Sequence, residues 1–375
     1  MKVLTMPDCR SDNPYQALLE RALIDQNVEM FFPAGYRRLL PFYRAVAEQS
    51  GRIDVLHLHW LGPYLKGGPV LARWFYAAKL LLDIYIVQMS GVKVVWTVHN
   101  LIAHDAQHVR LQRWIRRRLA KIVDRMIVHN HSSKASVVEL YEAADNAISV
   151  VPIGHYRDVY APPIDSKEAR SILGLPTTGN LYLWQGILRP YKGVEALLQL
   201  WSEHEDLLSE HTLVIAGAAS DPVYREQIAS AAAGVRGVQM RLEFIADDQM
   251  HLFFSAATAV VLPFKQILTS SSLVLAMSYD KPVIAPRLGG IPETLQDADA
   301  LLYDADDGLG LLHAIKMSME SDLSSLSSTV NQICDRLDWS AIAHKTSQLY
   351  KSVLHERSDE KQVECNKIRR NRPHA

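Results

Sequence analysis

Apolar residues in this chain fall into short unbroken runs separated by longer amphipathic stretches. Residues 2–6, 28–32, 53–59 and 92–98 carry apolar side chains on nearly every position. A strand with one face in water alternates apolar and polar residues, whereas a strand covered on both faces does not. These runs therefore predict buried parallel strands, and residues 126–129 and 148–151 continue the series. Between the runs the spacing turns helical. Asn13-Pro14 starts a helix through about Gln26, and 71–89 is rich in apolar and aromatic residues. In 108–123, Leu111, Trp114, Ile115, Leu119 and Ile122 share one helical face while Arg110, Arg113, Arg117 and Lys121 lie on another. The rhythm breaks at Tyr160-Ala161-Pro162-Pro163, which predicts an interdomain linker. It resumes with strands at 181–184, 212–216 and 239–244 and with helices from about Val194, Pro222 and Gln249. The pattern predicts an α/β chain of two doubly wound, Rossmann-like domains, residues 1–162 and 163–338. Ligands of such sheets lie beyond the carboxyl ends of the strands, so a cleft between two facing domains is the expected site.

The stretch 259–292 concentrates polar chemistry inside this framework. A strand at 259–262 stops at Pro263. Thr269, Ser270, Ser271 and Ser272 then stand where a helix over 273–279 begins. A further strand at 281–284 leads to Gly289, Gly290 and Pro292, which open another helix. Serines cap helices everywhere. Hydroxyls beside unpaired amides at a helix N-terminus also make an anion site. A second loop tips the reading toward the anion. In 184–198, WQGILRPYKGVEALL, Gly186 ends a strand and Arg189 and Lys192 precede a helix. Two cations three residues apart in a strand-to-helix loop suit a diphosphate, with Arg binding bidentately and Lys acting as a point charge. The G-x-x-x-x-G-K-[ST] pattern of a P-loop is missing.

Length and composition change the picture little. The 375 residues suit two domains, and 48% hydrophobic with 22% charged residues describes a globular chain with large cores. A net charge of −1 gives no general attraction to nucleic acid, so no nucleic-acid partner is expected. Cys9, Cys334 and Cys365 are far apart and show no metal spacing, which points to a reducing compartment. The N-terminal apolar run stops at Pro7-Asp8 and does not read as a signal peptide, so a cytoplasmic location is expected. Arg73, Lys79 and Asp83 make 71–89 a poor membrane span. Together with the arginine stripe of 108–123 it instead suits contact with the inner membrane surface, against the plainer reading of two helices covering a sheet.

Histidines gather at the strand ends of the first domain. His57 and His59 close one strand, His99 the next, and His129 and His131 a later one, while His104-Asp105 follow in a loop. A histidine oriented by a carboxylate is a general base near neutral pH, although any single histidine more often bonds a loop carbonyl. No metal is expected, because no Cys cluster or Glu-x-x-His completes a tetrahedral set.

These motifs, in this order, resemble the GT-B glycosyltransferases near family 4 and the bacterial exopolysaccharide transferases. The resemblance rests on VHNLIAH, VVPIGHY, GILRPYKGVEALL, LVIAGAA, FIADDQMHLFFSAATAVVLPF, SSLVLAMSYDKPVIAPRLGGIPE and DWSAIAHKTSQLY, and covers residues 1–355. It implies an acceptor-binding first domain and a second domain that binds a nucleotide diphosphate sugar such as GDP-mannose or a UDP-hexose. Gly186, Arg189, Lys192 and Thr269 to Ser272 would hold the donor diphosphate, and Phe244, Ile245 and Asp247 would lie near the base. A last helix over 339–355 would cross back to the first domain, leaving 356–375 as a polar, disordered tail. His104, Asp105 and His99 are the catalytic candidates, the first two as base if the reaction inverts. The acceptor would be a glycan or polyprenyl-linked sugar. One departure stands out. Many family members carry Glu-x7-Glu where this chain has Ile267 and Leu275, so the resemblance does not by itself imply a retaining mechanism. Inversion and retention both stay open, with His104 and Asp105 only positioning the sugar if the reaction retains. An inactive transferase-like scaffold, a nucleotide-sugar epimerase or phosphorylase, and a sugar-binding protein are the competing readings.

Overall fold

The computed structural model describes residues 1–33, 35, 39–49, 51–65, 69–102 and 108–370, with side chains to residue 355. The chain forms two compact units, Met1–Pro152 joined by the chain from Trp339 onward, and Ile153–Asp338.

The first unit carries strands β1 (Lys2–Met6), β2 (Glu29–Phe31), β3 (Val55–Leu58), β4 (Lys93–Thr97), β5 (Arg125–Val128) and β6 (Ile148–Val150). Its helices are α1 (Tyr15–Ile24), α2 (Pro41–Ala47), α3 (Val70–Met89), α4 (Val109–Ile122) and α5 (His131–Tyr141). The strands run parallel in the order β2-β1-β3-β4-β5-β6. The apolar runs of the central strands became strands because both faces are covered: Leu4, Leu56 and Val94 on one face and Val3, Val55 and Val95 on the other have no exposed surface. The order reverses between β1 and β3, so the connections leaving those strands diverge and open a crevice beyond their carboxyl ends. His59-Trp60 stands at that point, with the His59 amide donating to the Met6 carbonyl at 2.9 Å.

The second unit carries β7 (Leu181–Gln185), β8 (Thr212–Ala216), β9 (Val238–Arg241), β10 (Ala259–Val261), β11 (Val283–Pro286) and β12 (Leu302–Tyr303). Helices α6 (Ser166–Leu173), α7 (Val194–Glu203), α8 (Glu205–Leu208), α9 (Pro222–Ala232) and α10 (Asp247–Ala256) are followed by α11 (Ser271–Ser278), α12 (Ile291–Leu295), α13 (Gly310–Glu320) and α14 (Leu323–Asp335). The parallel order β12-β11-β10-β7-β8-β9 reverses between β7 and β10. The loops after those two strands are the Arg189–Lys192 loop and the serine-rich loop.

Two boundaries differ from the sequence expectation. The units part after Pro152, not at Tyr160–Pro163. The intervening segment is bound into the second unit. The Tyr156 amide donates to Ser278 Oγ at 2.9 Å, Arg157 pairs with Asp280 at 2.9 Å and with Asp335, and the Tyr279 hydroxyl donates to the Ala161 carbonyl at 3.0 Å. Prolines mark where regular structure stops, which here is ten residues past the change of packing. The last helix, α15 (Trp339–Arg370), also runs on through most of the expected tail. That segment holds Glu, Lys, Gln and Arg with no Gly, and no Pro before Pro373, a composition that favours helix. Residues 371–375 lie outside the described residues. Within the first unit α15 packs on α1, with the Trp339 and Tyr15 rings 5.6 Å apart.

Candidate functional site

In the second unit the site is built from backbone outward. β7 delivers Gly186 at φ 145°, a conformation that a side chain would strain. A Cβ there would stand 2.8 Å from Lys192 Nζ and 3.7 Å from Ser272 Oγ. The bare Cα thus lets the lysine tip and the serine hydroxyl approach one point. Gly193, at φ 72°, allows the close approach that follows, since a Cβ on it would meet the Pro263 carbonyl at 1.9 Å. The loop after β7 is further tied to the loop after β10 by the Lys265 amide, which donates to the Tyr191 carbonyl at 2.8 Å. The Gly290 amide donates to the Leu268 carbonyl at 3.1 Å, holding the serine loop from its other side.

Lys192 is a half-buried cation, and among the described residues no carboxylate pairs with it. Its ammonium lies 5.7 Å from the centroid of the Trp184 ring. Burial, with a smaller contribution from repulsion by Arg189, lowers its pKa to about 8. Two neighbouring cations without an acid make a place that an anion stabilises. The four hydroxyls of the serine loop divide their work. Ser270 caps α11, its Oγ accepting from the Leu273 amide at 3.0 Å, so it is committed to the helix. Ser272 is the hydroxyl near Lys192, Ser271 is exposed and Thr269 is half-buried. The amides of the first turn of α11 point out of the helix end toward the loop. Leu275 and Ile267 give this surroundings no carboxylate; Leu275 is buried in α11. Of the residues expected near a base, Phe244 is 78% exposed, Ile245 is buried, and Asp247 begins α10.

In the first unit, His59, His99 and His129 meet beyond β3, β4 and β5. His129 Nδ1 lies 2.9 Å from the Val151 carbonyl, His129 Nε2 lies 3.3 Å from His99 Nδ1, and His99 Nε2 lies 3.0 Å from His59 Nδ1. A carbonyl only accepts, so His129 must donate from Nδ1. Burial holds these rings neutral, pulling His129 down to about 4 and His59 and His99 well below the ordinary value. A neutral ring has one N–H, so each step is forced: His99 Nδ1–H donates to His129, and His59 Nδ1–H donates to His99. His59 Nε2 is left as a buried lone pair with no partner among the described residues. His57 stands beside the chain, bonded to Thr97 Oγ1 and to the Tyr350 hydroxyl of α15, both at 2.7 Å. Both ring nitrogens of His99 are therefore engaged by its neighbours. His104 and Asp105 lie outside the described residues. His131 does not close a strand; it opens α5, which Asn130 caps by accepting from the Ser133 amide at 2.6 Å. Sequence reasoning missed Tyr350, Thr97 and Trp60, because nothing local to them marks a partner so distant in the chain.

Residues 3–156 match the family described as Glycosyltransferase Family 4, and residues 179–321 match Glycosyl transferases group 1. A GDP-mannose:glycolipid 4-beta-D-mannosyltransferase of Xanthomonas campestris pv. campestris is 31% identical over 307 residues, 80% of this chain and 78% of that protein. The chain belongs to this glycosyltransferase family. A D-inositol 3-phosphate glycosyltransferase of Corynebacterium glutamicum is 23% identical over 359 residues, covering 91% of this chain and 80% of that one. Among solved structures, sucrose-phosphate synthase from Thermosynechococcus elongatus superposes with a TM-score of 0.71 at 18% identity, over 95% of this chain and 99% of that one. HepE of Anabaena, solved with UDP and glucose, gives 0.69 at 16% identity, over 94% and 100%. The fold is GT-B, and the enzyme is a nucleotide-sugar-dependent glycosyltransferase.

The α3 and α4 helices of this glycosyltransferase depart from ordinary sheet-covering helices. α3 buries Ala77, Leu80, Ile84 and Val87, yet Leu71, Phe75, Leu82, Tyr85 and Met89 form a second apolar row that is more than half exposed. Trp74 packs edge-on against Trp114 of α4 at 4.9 Å. On α4, Arg110, Arg113 and Arg118 are exposed, whereas Arg117 is bound to Glu142 at 2.9 Å. No described helix is long and apolar enough to cross a membrane.

Proposed function

We propose that this glycosyltransferase moves a mannosyl group from GDP-mannose to a lipid-linked glycan at a membrane surface, as a step in exopolysaccharide or cell-surface glycan assembly. The choice of donor and acceptor class follows the Xanthomonas relative. The observation that carries the chemistry is Lys192, a cation without an acidic partner, converging with Ser272 on the bare Cα of Gly186. In the reaction the bond from the sugar to the diphosphate breaks and negative charge grows on the leaving diphosphate. Arg189, Lys192, the Ser272 hydroxyl and the amides of α11 meet that charge, and the chemistry they supply does not call for a metal ion. The acceptor hydroxyl loses its proton to Asp105 or His104 if the reaction inverts. Phe244 to Asp247 border the base. His99, with both nitrogens engaged, positions its surroundings and does not take the proton.

The absence of both glutamates at Ile267 and Leu275 favours one other reading, a transferase-like scaffold that binds the donor without turning it over. Thermal unfolding with GDP, UDP and ADP and their mannose or glucose conjugates separates these. A nucleotide at about a hundred times its Kd adds about 2.7 kcal/mol to stability. We expect that shift with GDP and GDP-mannose, and its loss in Lys192→Ala. A shift without any transfer to alkyl glycosides supports the scaffold; no shift with any nucleotide overturns the donor site.

A further inference from the structure

The strand order of the first sheet reverses between β1 and β3, the place where such sheets open a crevice, and Trp60 stands there two residues past the end of β3. We propose that Trp60, stacked on His99, is the platform against which an acceptor sugar ring lies; this rests on the reading that the first unit receives the acceptor.

Trp60 is only half-buried, unlike Trp96 of the same unit, which is 2% exposed in the core. One face of the indole lies on the His99 ring, with centroids 4.2 Å apart and planes 9° from parallel. His99 cannot turn away, because its Nδ1 and Nε2 are both held in the chain that ends on the Val151 carbonyl. Tyr15 closes the group from the side, its ring meeting those of His59, His99 and His129 edge-on at 5.9, 5.5 and 5.7 Å. The indole is thus fixed from behind by rings that are themselves fixed by backbone. Among the described residues no acceptor takes its N–H. A pyranose presents one face of polarised C–H bonds, which an electron-rich aromatic face attracts, while hydroxyls at the ring's rim can accept from an indole N–H. Rigid, half-exposed aromatics at the mouth of an α/β sheet give such contacts with little ordering cost.

The test uses the full chain with octyl glycosides of glucose, mannose, galactose and glucuronate as acceptor probes. Saturation-transfer NMR reads contact without turnover. Signal on the C–H protons of one sugar face is expected for wild type and Trp60→Phe and lost in Trp60→Ala. Where transfer from GDP-mannose is measurable, Trp60→Ala should raise the KM for the glycoside about three- to tenfold, the worth of one aromatic contact, and leave the KM for GDP-mannose unchanged. The nucleotide-induced thermal shift should stay at its wild-type size, showing the variant folded. Equal saturation of wild type and Trp60→Ala, or no saturation of any glycoside by wild type, overturns the platform. A rise in the donor KM instead assigns Trp60 to the nucleotide. Failure of wild type to transfer, with face-selective saturation intact, sinks the proposed reaction and not the platform.

Discussion

Two side-chain groups give this protein opposite responses to pH. Lys192 has a folded pKa of about 8, so in the free protein its ammonium is lost as pH rises past that value. A bound diphosphate favours the charged form, and donor affinity should therefore fall with rising pH, by at most about tenfold per unit above pH 8. Titrating GDP between pH 7 and 9.5 shows the bend, and Lys192→Arg, charged throughout, should abolish it. The buried histidines act at the other end. His57 and His129 have folded pKa values of about 3 and 4, below the 6.5 of the free side chain. Between those values the unfolded chain binds more protons than the folded one. Their contribution is complete above about pH 6.5 and drains as pH falls toward 4, by about 1.4 kcal/mol per pH unit for each ring. Urea midpoints measured from pH 8 to pH 4.5 should fall below 6.5, and a flat profile would contradict neutral burial. At this scale the sequence exposed the residue types and hid their pairing. That Arg189 and Lys192 are neighbours was legible because the loop is local. The partner of His57 is Tyr350, 293 residues away, and no spacing rule reaches that far.

Secondary elements were legible where burial is two-sided and local. The expected strand runs, α3, α4 and the helix after the serines all appear in the structure, with ends shifted by up to three residues. α2 does not, because its start signal lies elsewhere. Its N-cap position is Leu40, at φ 46° with no side-chain cap. The carboxylate of Asp83, inside α3, accepts from the Phe42 and Tyr43 amides at 2.8 and 2.9 Å in its place. Burial raises the Asp83 pKa while those two amides and Lys79 oppose it. Removing a buried acceptor that serves two donors leaves both unsatisfied, so Asp83→Ala should cost about 2–3 kcal/mol, against little for an exposed Asp297→Ala. Chemical denaturation of the two variants measures the difference.

Across the whole molecule, charge is nearly balanced at −1, so any attraction to a surface has to be concentrated. Exposed arginines gather on α4, which meets α3 through Trp114 and Trp74. Apolar insertion and cationic attraction reinforce each other at an anionic bilayer, each basic residue adding about 1 kcal/mol near the surface. The full protein should therefore sediment with vesicles of phosphatidylglycerol and phosphatidylcholine. Binding should weaken with salt and fall in Arg110→Glu/Arg113→Glu. Equal binding to neutral vesicles would assign the contact to α3 alone.

The return of α15 to the first unit has a consequence for how the protein is made. Residues 153–338 are continuous, so a ribosome releases a whole second unit once they have emerged. The first unit, although translated earlier, lacks Trp339 against Tyr15 and Tyr350 against His57 until the final helix is out. Domains fold as units when their chain is complete. During synthesis, then, the first unit is expected to gain its α15 contacts only after all of the second unit has emerged.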